Sequence, residues 1–158
     1  MSRRMMQLKS EGASLRLPST WEAEVDKGSG EAEPGSVSLA TPRIHLANFP
    51  LPLERGDFGS GAVERMTAGD VLICLLEESP TAIGSRLFEQ VGMPVIVADD
   101  FRTDGMQRPI QGQSGAQKFF HVNGRAFALY IVLGSHLSRA TLVPEINEIL
   151  SGIEIDEI

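Results

Sequence analysis

Residues 116–134 read Ala-Gln-Lys-Phe-Phe-His-Val-Asn-Gly-Arg-Ala-Phe-Ala-Leu-Tyr-Ile-Val-Leu-Gly. The spacing predicts a long β-hairpin that turns at Asn123-Gly124, because a two-residue type I′ turn needs positive φ at both positions and these residues tolerate it. The turn sets the register. His121 then faces Ala126, Phe120 faces Phe127 and Phe119 faces Ala128. One face carries Phe120, Val122, Phe127, Leu129, Ile131 and Leu133. The other carries Phe119, His121, Ala126, Ala128, Tyr130 and Val132. Both are largely apolar, so the returning strand should be covered on both sides.

Working outward, residues 70–76 (Asp-Val-Leu-Ile-Cys-Leu-Leu) form a continuous apolar run of strand length, placed beside the hairpin as a central strand. Residues 79–92 carry helix signals. Ser79 suits an N-cap, Pro80 the first helical position and Gly92 the C-terminal stop. Ile83, Leu87, Phe88 and Val91 would share the inward face. Val95–Val97 reads as a short strand. Residues 98–115 are polar and turn-rich. Thr141 is expected to cap a final helix with Pro144 in its first turn, Gly152 ending it and Ile153–Ile155 adding a last strand. Upstream, 13–17, 21–25 and 43–49 alternate as strands, with Trp21, Ala23 and Val25 on one face of an edge strand. The organisation expected is a flexible N-terminus over 1–11 and a single α+β domain over 12–155, with a mobile loop at 26–38. Its twisted, mainly antiparallel sheet would be flanked by two helices.

The 158 residues suit one domain. The net charge of −7 argues against a nucleic-acid partner, since phosphate binding needs a basic face. A single cysteine, Cys74, excludes an internal disulfide and fits a reducing compartment. No run approaches the roughly 20 apolar residues of a membrane span, and no signal-peptide core follows the basic start. The location expected is cytoplasmic.

Candidate chemistry falls short of the required spacings. Gly56-Asp57-Phe58-Gly59-Ser60-Gly61 could approach a phosphate, with Arg55 and Arg65 supplying charge, yet it matches neither G-x-G-x-x-G nor a Walker loop. Asp57-Phe58-Gly59 matches the kinase tripeptide in a chain that has none of the other kinase motifs. Gly112-Gln113-Ser114-Gly115-Ala116 lacks the second glycine of a nucleophile elbow, and a Ser114/His121/Asp99 triad is arbitrary. His45, His121 and His136 have no metal-ligand spacing, and a His45–His121 site would need neighbouring strands. Asp99, Asp100 and Asp104 depart from the calcium-loop pattern. Cys74, in an apolar strand, reads as a buried inert thiol. Neither a cofactor nor a metal is expected, and no residue is assigned a catalytic role.

The opening Ser14-Leu15-Arg16-Leu17-Pro18-Ser19-Thr20-Trp21 resembles the start of Mog1/PsbP-like domains, where a strand ends in a Leu-Pro-x-x-Trp-type turn. The closing Ile146–Ile155 stretch is similar to their last helix and strand. The middle, His45–Gly61 with Gln107–Gly115, is similar to a small uncharacterised bacterial family. The resemblance implies an α/β/α sandwich and a binding or adaptor role, with no catalytic set to transfer. The leading expectation is therefore a non-catalytic module that binds a protein partner. Its working surface would be loops 48–66 and 98–115, with Phe49, Leu53, Arg55 and Phe58 as contacts. The rival is a small-ligand or hydrolytic site at 54–61 using Arg55, Asp57, Ser60 and His121. A homodimer through a sheet edge is a third arrangement.

Overall fold

A computed structural model describes residues 4–27 and 42–157. The hairpin forms as the spacing requires. Strands β6 (Ser114–Val122) and β7 (Arg125–Leu133) are joined by Asn123 at φ 52° and Gly124 at φ 75°. The pairs are His121↔Ala126, Phe120↔Phe127 and Phe119↔Ala128. Phe120 and Phe127 stack with ring centroids 5.4 Å apart. All nine residues of β7 are buried, because β5 (Val71–Glu78) pairs along its other side. With β3 (Glu22–Lys27) and β4 (Pro42–Ala47) these strands make an antiparallel five-stranded sheet in the order β3-β4-β5-β7-β6.

A second antiparallel sheet has the order β1-β2-β8, from Met5–Ser10, Ala13–Pro18 and Ile153–Ile155. It packs with helix α1 (Arg139–Ser151) against one face of the large sheet, through Leu15, Leu17, Ile146, Ile149, Ile153 and the inward side chains of β4, β5 and β7. Arg125 sits in the seam between the sheets. Its guanidinium donates Nε–H and Nη2–H to the Glu77 carboxylate at 3.0 and 2.6 Å, and further bonds to the carbonyls of Glu11, Gly12 and Asp156. Every N–H of this buried guanidinium therefore has an acceptor, as a buried charge requires.

The α+β, single-domain reading holds, with five corrections. First, there are two sheets, and only one α-helix is present among the described residues, so the expected α/β/α sandwich with helices on both sides does not form. The 79–92 helix is replaced by two 3-10 turns, Pro80–Ala82 and Arg86–Phe88. Gly84, at φ 97°, breaks the helical path between them. The chain then gives its hydrogen bonds to the edge of β6, where His121 N–H donates to Gln90 O and Gly92 N–H donates to His121 O, both at 2.9 Å. Of the expected inward face only Phe88 is buried, and Leu87 and Val91 are exposed.

Second, Val95–Val97 is not a strand. The Asn147 carboxamide takes the place of a neighbouring strand, accepting from Ile96 N–H and donating to Ile96 O at 2.8 Å each. Third, Met5–Ser10 is not a flexible end. Met6 and Leu8 point inward and the strand pairs along β2. Fourth, α1 starts at Arg139 behind a 3-10 turn at His136–Ser138, which puts Pro144 inside the helix. Ala140 and Pro144 are exposed, so water can satisfy the carbonyl of Ala140 that proline leaves without a donor. Fifth, Asp26 and Lys27 end β3, and the rest of the loop expected at 26–38 lies outside the described residues.

Candidate functional site

The other face of the large sheet is closed by irregular chain. Register brings one row of side chains together across all five strands on this face. Glu24 pairs with His45, His45 with Cys74, Cys74 with Tyr130 and Tyr130 with Gln117. Directly opposed residues share a face, so the row is contiguous. Loops 48–66 and 106–113 lie over it. Their apolar side chains Phe49, Leu51, Phe58, Ala62, Val63, Met66, Met106 and Ile110 pack with Leu72, Cys74, Tyr130 and Val132.

Polar side chains fix these loops at defined points. At the entry, Asn48 Nδ2 donates to Gly69 O at 3.0 Å and Asn48 Oδ1 accepts from Val71 N–H at 2.8 Å. Leu51 N–H donates to Glu22 at 2.7 Å. At the far side, Gln113 Nε2 donates to Val63 O at 2.8 Å.

His45 is the middle fixing point, 6% exposed. Arg55 Nε–H donates to its Nδ1 at 3.0 Å. A guanidinium has only donors, so Nδ1 must hold the lone pair and Nε2 the hydrogen. Nε2–H then donates to the carbonyl of Asp57 at 2.9 Å. Burial, partly offset by that carbonyl bond and reinforced by the Arg55 charge, holds His45 below its ordinary pKa of 6.5. Arg55 also bonds Pro52 O through Nη1, and the Asp57 carboxylate pairs with Arg43 at 2.8 Å. Both imidazole nitrogens are occupied, so His45 is a neutral clasp with no lone pair left for a metal or a substrate proton.

The glycine-rich loop serves packing. Gly59, at φ 87°, rests on Leu72, where a Cβ would meet Cδ2 at 2.3 Å. Its amides are engaged within the chain: Gly56 with Ser60 O, Gly59 with Gly56 O, Ala62 and Val63 with Gly59 O, and Gly61 with the Glu64 carboxylate at 2.7 Å. A phosphate would have to displace Glu64 and these carbonyls.

The expected site residues separate. Phe49 is 9% exposed and belongs to the core, which corrects its place among partner contacts. Leu53 is 93% exposed. Arg55 and Phe58 are half-buried, and Phe58 meets the Tyr130 ring edge-on at 5.5 Å between centroids. Asp57 and Ser60 are exposed. His121 does not join Arg55, Asp57 and Ser60. Its strand lies three strand spacings from that of His45 and its position four residues along, roughly 20 Å away. It is tied instead to Phe88 O through Nδ1 at 2.5 Å. The same separation removes a His45–His121 metal site.

Ser114 and His121 are seven residues apart on β6 and so on opposite faces, and Ser114 is fully buried, which removes the elbow and the triad. Asp100 pairs with Lys118 and Asp104 with Arg102, both at 2.9 Å. Among the described residues no group of three or more His, Cys, Asp or Glu could hold a metal ion. Burial pushes the Cys74 thiol well above its ordinary pKa, so it stays protonated.

Loop meeting loop leaves one small cleft of about 50 Å³, lined by Phe58, Ser60, Met106, Gln107, Arg108 and Tyr130 among others. Gln107 N–H donates to Tyr130 Oη at 2.8 Å and sets the cleft's floor. Tyr130, Met106 and Arg108 were not among the expected site residues. Only the strand order, with β5 between β4 and β7, puts Tyr130 beneath the 54–61 loop. No described helix is long and apolar enough to cross a membrane. Compared with known proteins, the chain matches no family model, no curated protein and no solved structure.

Proposed function

We propose that the chain is a non-catalytic binding or adaptor module of the cytoplasm that engages a protein partner through loops 48–66 and 98–115. One observation carries the reading: Leu53 stands 93% exposed in a loop whose surroundings are tied to the sheet by Asn48, His45 and Gln113. A fixed loop presents its apolar area without the ordering cost that a mobile loop meets on binding. The cleft of Phe58, Met106 and Tyr130, with Arg108 and Glu64 in its lining, offers a second contact for an apolar side chain. It is far smaller than the roughly 300–1,000 Å³ of a typical cofactor pocket. The resemblance to Mog1/PsbP-like domains, mostly binding or adaptor proteins, points the same way. A small-ligand or hydrolytic site at 54–61 is the weaker alternative, because Arg55 and Asp57 already hold partners within the chain.

The test is affinity capture from the native cell, quantified by mass spectrometry, with the wild-type chain, Leu53→Ser and Arg108→Glu. The expected result is a protein retained by the wild type and lost from both variants at unchanged melting temperature. Identical capture by all three overturns the reading, and light scattering on the purified chain separates a foreign partner from a second copy.

A further inference from the structure

We infer that His45 and Arg55 form an acid-sensitive latch that holds residues 52–61 on the sheet and opens when His45 takes up a proton. The latch deepens the reading of this surface as a partner site, and only its biological consequence depends on that reading. The closed state requires the Nδ1 lone pair, because Arg55 cannot give up a hydrogen. A proton from solvent converts Nδ1 into a donor facing a donor, at 3.0 Å from a permanent positive charge. Arg55 meanwhile stays anchored to Pro52 O through Nη1, which keeps its charge beside the ring.

Charged and titratable groups surround His45 on the sheet and in the loop. Glu24 lies opposite it on β3, with Asp26 one repeat along; Arg43 shares β4, and Cys74 faces it from β5. The loop contributes Arg55 and Asp57. Asp26 and Asp57 favour the imidazolium, but Asp57 is paired with Arg43, and burial acts most strongly in the other direction. The sign follows from proton counting. The released imidazole titrates near 6.5, whereas the latched one titrates lower. Latching is therefore complete above that value, and it weakens as pH falls from there toward the latched value, where the open form binds a proton that the closed form does not. Opening withdraws Phe58 from Tyr130 and so removes one wall of the cleft.

Hydrogen exchange of the full chain, corrected for intrinsic rates and read from pH 7.5 to 5, tests this. Protection of amides in 56–63 should fall by up to about tenfold per pH unit below about 6.5, while amides of 125–133 hold theirs. His45→Gln keeps a donor and an acceptor without a titration and should flatten the response. Arg55→Met, which removes the opposing charge, should shrink it if the glutamine variant fails to fold. Loop protection that tracks the hairpin at every pH overturns the latch, as does an undiminished acid response in the variants. Neither result bears on the Leu53→Ser capture, so failure of the latch and failure of the binding reading are told apart.

Discussion

One face of the five-stranded sheet is closed by α1 and the three-stranded sheet, the other by loops 48–66 and 106–113, and the side chains differ accordingly. Beneath the regular elements lie Ile44, Leu46, Ile73, Leu75, Phe127, Leu129 and Ile131, and on the same face the Arg125–Glu77 pair lies at the seam between the sheets, where Arg125 meets the carbonyls of Glu11, Gly12 and Asp156. Beneath the loops the sheet presents His45, Cys74 and Tyr130, and the covering chain adds Asn48, Arg55 and Gln113. Helices and strands satisfy their own backbone along their length, so apolar contact holds them there and polar side chains are needed only at their ends, as Arg125 shows at Glu11, Gly12 and Asp156. Irregular chain leaves carbonyls and amides open, and side chains must meet them. The polar row is the consequence of that need. Within it His45 and Tyr130 fasten the loops, His45 through Arg55 and Asp57 and Tyr130 through Gln107.

Three substitutions can break or sharpen this contrast. Phe127→Ala, on the face under the regular elements, removes a fully buried ring stacked on Phe120 and should cost about 3–5 kcal/mol in urea unfolding. A loss below about 1 kcal/mol would mean that this face is not the stabilising one. Tyr130→Phe keeps the ring beneath Phe58 and removes only the oxygen that accepts from Gln107 N–H. It should cost about 1–2 kcal/mol, and exchange should quicken at residues near 107 while the hairpin stays protected. Spread of that change into β7 would refute the idea that the loops are fastened separately. Leu53→Ser should shift stability by no more than about 0.5 kcal/mol. A larger loss would place Leu53 in the core and remove it as a contact.

The parts of the fold that could be read in the sequence are those decided locally. Asn123-Gly124 sets its own turn and therefore the whole β6–β7 register, and the apolar run at 71–76 has no other use than a covered strand. The helix expected at 79–92 shows where local signals mislead. Ser79 does cap a turn, its side chain accepting from Thr81 N–H, but Gly84 and the free edge of β6 outweigh the rest of the pattern. The candidate site was half legible. Arg55 and Asp57 stand out in the loop, yet the histidine they hold is His45 rather than His121. Its hydrogen bonds join residues ten and twelve positions apart across a loop without periodicity. No spacing rule describes such a loop. The row from Glu24 to Gln117 likewise exists only once strand order is known.

The closure of β6 has a consequence for how copies of the chain meet. Gly115 exchanges backbone bonds with Arg102 near one end of the strand, and His121 does so with Gln90 and Gly92 near the other. A neighbouring molecule cannot lay a long strand there without first peeling those segments away. At the opposite end of the sheet β3 bears Glu22, Glu24 and Asp26, so a second β3 alongside it would set carboxylates against carboxylates. Both margins thus oppose sheet-to-sheet growth, one by occupation and one by charge. A second copy that added a strand at the β6 margin would therefore first have to release residues 90–92 and 102.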